Sequence, residues 1–274
     1  MSNLTLWEAL SDIANNLINR LAEAVGWIVT HPTPKRIAED TYIDEIRNSN
    51  LDPISKAAAI SSARKTIKEY SNQTNIVQHA LSQLRDEANP NNVSDDWYLQ
   101  FMDKARLISD PELQIIWGHI LAEEVNSPGT VSKKLLHNLS LMSNSDAGNF
   151  LNLSRFCFWD KKDMITHPIL YIKEHSGHYA GYNITTSILN ELSSFSLLET
   201  NYDTGFAFNN KKVLLYQNHM LELKADRIPV GNIRFTPDGQ KLFNIITKHN
   251  NYKILEFTIE VLRDKGCSVN IIDN

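Results

Sequence analysis

Glycine, cysteine and long apolar runs are all scarce in this 274-residue chain, and each scarcity removes a class of function. The ten glycines are scattered, with no Gly-x-Gly-x-x-Gly and no Walker loop. Nothing therefore cradles a dinucleotide or a nucleotide phosphate in the usual backbone nest. The two cysteines, Cys157 and Cys267, lie far apart. Cys157 sits between Phe156 and Phe158, beside Trp159, where a buried reduced thiol is expected rather than a disulfide or a thiolate metal site. No apolar run approaches the roughly 18 residues that cross a bilayer, and Met1-Ser2-Asn3-Leu4 lacks the basic start of a secretion signal. The expected location is the cytoplasm. A basic surplus is missing too. The net charge is −5, and residues 156–274 hold 13 Lys and Arg against 13 Asp and Glu, so the acidic excess lies in the first 155 residues. Phosphate contacts dominate nucleic-acid affinity, so this balance disfavours DNA or RNA as the main ligand.

What is present is helical periodicity. Leu6, Leu10, Ile13, Leu17, Leu21, Val25 and Ile28 recur at helical spacing, so residues 4–29 read as one amphipathic helix closed by His31-Pro32-Thr33-Pro34. Trp7 and Trp27 are candidate contact residues on it. Such a helix packs on the body, on a second subunit or on a membrane surface; its single basic residue, Arg20, argues against the last. Further helices are expected over 35–48, over 54–88 with an interruption near Ser71-Asn72, and from Ser94 to Ile108. Ser109-Asp110-Pro111-Glu112 has the form of a capping box. Leu113, Ile116, Trp117, Ile120 and Leu121 then give a core stripe stopped by Pro128-Gly129. A helix follows Ser132, and another starts at Ser143 and carries Ala147, Phe150, Leu151 and Phe158.

After Trp159 the texture changes. Short strands are expected at 169–172, 206–208, 213–216, 220–223 and 268–272, separated by Asn-rich turns. Helices are expected over 184–195, after Thr236-Pro237-Asp238-Gly239, and over 254–263. The outline is that of a winged helix. The fold class read from this is mainly α: an N-terminal helical bundle with a smaller α+β, winged-helix-like C-terminal domain. Its divisions are 1–34 (helix and Pro-containing linker), 35–159 (bundle) and 160–274.

Few residues carry recognisable chemistry. His119 and Glu123 stand four apart on one helix face, with Glu112 two turns earlier, but a third and fourth metal ligand are absent and the pair reads as a solvated face. His167, His175 and His178 cluster near Ser176-Gly177 without Gly-x-Ser-x-Gly or finger spacing, and read as surface residues. The outward side of the 184–195 helix, Thr185, Thr186, Ser187, Asn190 and Glu191, has no Lys or Arg, so a winged helix here suits protein contact better than a DNA groove. No cofactor is expected.

From Asn75 to Phe150 the chain resembles a family of bacterial proteins of unknown function. The resemblance rests on Trp97, Phe101 and Ala105, then Leu113-Gln114-x-x-Trp117-x-x-Ile120-Leu121-Ala122-x-Glu124 and Pro128-Gly129-x-x-Ser132. It brings no catalytic residue with it. It implies an accessory setting, with anti-phage defence or stress response as the expectation. The function expected is therefore a non-enzymatic one: interaction or oligomerisation through a protein partner or self-association. Its candidate contact residues are Trp7, Trp27, Gln114, His119, Glu123 and Glu124. The alternatives are a winged-helix DNA-binding regulator and a protein held at the inner membrane surface by residues 4–29.

Overall fold

The computed structural model describes residues 11–28, 35–246 and 252–272. The chain divides into two compact units, Met1–Ser140 and Leu141–Asn274. The division falls after Ser140, so the helix and strand that follow it join the C-terminal unit rather than the bundle expected to run to 159.

The first unit is helical: α1 (Asp12–Val25), α2 (Lys35–Asn48), α3 (Pro53–Leu81), a 3-10 turn at Pro90–Asn92, α4 (Asp95–Ala105), α5 (Pro111–Asn126) and α6 (Lys133–Ser140). Ser11 caps α1 by accepting from the Ala14 amide, and Gly26 ends it at φ 70°, a left-handed conformation that glycine adopts without strain. Residues 26–28 are already non-helical, so the helix expected to run to 29 stops at Gly26 instead; residues 31–34 and the first ten residues lie outside the described residues. α3 runs unbroken through Ser71 and Asn72. Both are buried; the Asn72 amide donates to the Arg106 carbonyl at 2.8 Å, and the next residue, Gln73, donates to that of Met102 at 3.0 Å. Polar residues that read as a break are links between helices. The cap of α5 is Asp110, not Ser109; its carboxylate accepts from the Glu112 and Leu113 amides at 2.9 and 3.1 Å. α3 and α5 cross at Gly118. A Cβ there would lie 2.4 Å from His79 Cβ and 2.9 Å from the Ile76 carbonyl oxygen.

The second unit runs α7 (Asn144–Ser154), β1 (Cys157–Asp160), β2 (Ile165–Pro168), α8 (Ser176–Ala180), α9 (Thr186–Ser194), β3 (Leu198–Thr200), β4 (Phe206–Tyr216), β5 (His219–Gly231), β6 (Ile233–Phe235), α10 (Pro237–Ile245), α11 (Tyr252–Asp264) and β7 (Ser268–Ile272). Five strands form an antiparallel sheet in the order β2-β1-β4-β5-β7, and β3 pairs with β6. With seven strands among the described residues, the chain is mixed α/β, which corrects the mainly α expectation. Two local causes add strand, and one expected strand is lost. Asn209-Asn210 is not a turn but a bulge inside one long strand, with Asn210 at φ 65°. β4 and β5 thereby become a single long hairpin turned at Gln217-Asn218. The aromatic stretch after Ser154 leaves the helix and pairs as β1, so Phe158 is a strand residue. Residues 169–172 make only one bridge, Leu170 with Gly231. At Gly231 (φ 104°) a Cβ would stand 2.0 Å from the Leu170 carbonyl oxygen. The outer edge of β2 is closed by α10, where the Gln240 side chain accepts from the Thr166 amide at 2.7 Å.

Candidate functional site

Strand register sorts the residues of the five-stranded sheet onto two faces, because successive side chains alternate. Asp160, Leu214 and Leu221 stand opposite one another across β1, β4 and β5, and all three are fully buried. One residue along, Trp159 faces Leu215, Leu215 faces Met220, and Met220 faces Ile272. This apolar row crosses four strands and is only half-buried or exposed. Two residues further along the strands the same face carries Val213, Glu222 and Asn270, and two further again Lys211, Lys224 and Ser268. The face is thus graded along the strand direction, apolar at one end and basic at the other.

A cleft of about 600 Å³ opens on it. Trp159, Val213, Leu215 and Met220 form its floor; Lys161, Lys162, Lys211 and Lys212, with Asp160, complete its lining. Lys161 and Lys162 are exposed on the β1–β2 turn. Asp160 shapes that turn by accepting from the Lys162 and Asp163 amides at 3.0 and 3.3 Å, and Lys212 bridges Asp160 and Asp163. Burial alone would raise the Asp160 carboxyl, but the Lys212 ammonium and the two amides hold it below the usual carboxylate range. Glu222 is held down to about 2 by Lys211 and then Lys224. Five lysines therefore meet three carboxylates around the cleft, leaving a positive excess.

Beside this cluster, His167 packs edge-on against Phe208 with ring centroids 4.6 Å apart, and its Nε2 is buried without a hydrogen-bond partner. Burial pushes its pKa down to about 4. His175 and His178 pack instead on Phe257, His178 stacked at 3.5 Å. The three histidines do not form one constellation. Among the described residues, no group of three or more His, Cys, Asp or Glu could hold a metal ion, and no helix is long and apolar enough to cross a membrane.

The residues singled out from sequence lie elsewhere, in the helical unit. Gln114 is buried; its amide donates to the Ile108 carbonyl at 2.8 Å and to Asn72 at 3.2 Å, and its oxygen accepts from Asn75 at 3.1 Å. Glu124, also buried, accepts from the amides of Gly129 and Val131 at 2.7 and 2.6 Å, folding the loop that follows α5. Glu123 pairs with Arg85 at 3.6 Å. His119 is half-buried near His79, whose pKa is lowered by burial and then by that neighbour. Trp27 is buried, stacked on Tyr70 at 6.2 Å. Trp7 lies outside the described residues. Sequence reasoning missed the cleft lysines; their signal was the Lys-Lys pairs at 161–162 and 211–212, each adjoining a strand-forming run.

No curated protein and no solved structure matches the chain. A family model described as a protein of unknown function (DUF2806) matches residues 60–257. That span takes in most of α3, the whole cleft floor and the first part of α11, and on it the chain belongs to the DUF2806 family.

Proposed function

We propose that this protein acts by binding another protein, and that the outer face of the five-stranded sheet is its contact surface. One observation carries the reading: the row Trp159, Leu215, Met220 and Ile272, aligned across four strands and incompletely covered. A contiguous apolar stripe rimmed by charge is the usual surface of a protein contact. In the same reading α8, α9, β3 and β6 make a winged-helix-like core, with the β4–β5 hairpin as a greatly enlarged wing. The exposed residues of α9, Thr186, Ser187, Asn190 and Glu191, carry no positive charge, which suits protein contact rather than a phosphate backbone. The 113–132 pattern is then a scaffold signature, since Gln114 and Glu124 use their polar atoms on the protein's own backbone.

In-cell photo-crosslinking tests the surface. A crosslinker at Leu215 or Met220 is expected to trap a protein species that one at Lys68, exposed on α3, does not. Trapping from the two sheet positions that is absent, or no greater than from Lys68, would reject it.

A further inference from the structure

Resting on the reading of this sheet face as a protein contact, we infer that its cleft receives an acidic segment of the partner. An apolar side chain of that segment sits over Trp159, Leu215 and Met220, and its carboxylates meet Lys161, Lys162 and Lys211. The grading of the face selects this occupant. From Leu215 to Lys211 is four residues of strand, about 13 Å, so apolar floor and cationic rim are separated by the span of a short peptide rather than a single functional group. The volume, about 600 Å³, holds a few side chains. Lys161 and Lys162 are exposed, so they meet an incoming carboxylate without first leaving a buried site. The charge balance around the cleft, five lysines to three carboxylates, selects an acidic ligand over a basic one.

A single-stranded nucleic acid fits less well. Trp159 is the one aromatic on the floor, the rest being Val213, Leu215 and Met220, which give bases nothing to stack on.

The test is fluorescence anisotropy on the full chain with three labelled synthetic peptides and one oligonucleotide: alternating Asp-Leu, alternating Lys-Leu, alternating Asp-Ser, and oligothymidylate. The Asp-Leu peptide is expected to bind, and to weaken about tenfold or more both with Lys161→Glu/Lys162→Glu and in high salt. Met220→Ala is expected to weaken it too. The double variant changes only exposed turn side chains, and it is expected to gain binding of the Lys-Leu peptide, a swap that misfolding does not produce. Failure of Asp-Leu to bind, equal binding of Asp-Ser, or insensitivity to the lysine reversals overturns the inference. So does oligothymidylate binding that the same reversals abolish, which would make the cleft a nucleic-acid site. If crosslinks from Leu215 or Met220 trap a protein while Asp-Leu fails, the contact surface stands and the acidic partner falls; if both fail, both fall.

Discussion

Glu124 is a carboxylate almost out of reach of water that accepts two backbone amides of the loop after α5. Replacing it by Gln turns one acceptor oxygen into a donor that faces another donor. A buried charge-assisted pair lost in this way costs about 2–3 kcal/mol, so Glu124→Gln is expected to lower the urea midpoint while leaving peptide binding at the sheet cleft unchanged. His167 gives a second residue-scale expectation. Its folded pKa, about 4, lies below its ordinary value of 6.5, chiefly through burial, with the charges of Asp160, Lys212 and Asp163 around it. The unfolded chain therefore takes up this proton first. Stability is fully present above about pH 6.5 and is lost as pH falls toward 4, by about 3 kcal/mol at most. Urea titrations at pH 7 and pH 4.5 should show a larger drop for the native chain than for His167→Phe; equal drops would exclude His167 as the source. Neither role was legible beforehand. Glu124 read as a polar exception on a core stripe, and what it bonds to depends on a loop whose path no spacing describes.

Among the elements, the crossing of α3 and α5 has the narrowest tolerance. Ala at 118 would gain about 1 kcal/mol of helix propensity over Gly, yet its Cβ would meet His79 Cβ and the Ile76 carbonyl oxygen well inside contact distance. Overpacking of this kind costs about 1–3 kcal/mol, and part of the obstacle is backbone, which cannot swing aside. Gly118→Ala is therefore expected to destabilise by up to about 2 kcal/mol in chemical denaturation, against the sign that propensity alone assigns. Elements whose caps and stripes agree were readable: the Ser143 and Thr236 caps, the α5 stripe and the terminal strand all lie where spacing puts them. Elements decided by partners were not. β1 continues a helical spacing from Ala147 and Phe150, and only pairing with β2 and β4 makes it a strand. The long hairpin hides behind Asn209-Asn210, where a bulge and a turn share the same residues. The cleft was illegible for the same reason, since its floor comes from three strands and its lysines from two ends of the chain segment between residues 161 and 212.

At the scale of the whole molecule, two compact units share one chain. Gly118 and Glu124 belong to the first, His167 and the cleft to the second. Calorimetry of Gly118→Ala is expected to lower one transition and leave a second, carrying the His167 pH dependence, where it was; a single transition shifting as a whole would mean the two units unfold together. A five-stranded sheet with two open edges also raises the question of why such sheets do not simply join edge to edge. The answer at one side is Gln240, whose side chain occupies the Thr166 amide on β2, and Pro168, which has no amide to offer a neighbour. A helix thereby acts as a stopper for a strand. Removing that stopper with Gln240→Ala is expected to leave the urea midpoint nearly unchanged and to raise the concentration-dependent self-association seen by light scattering.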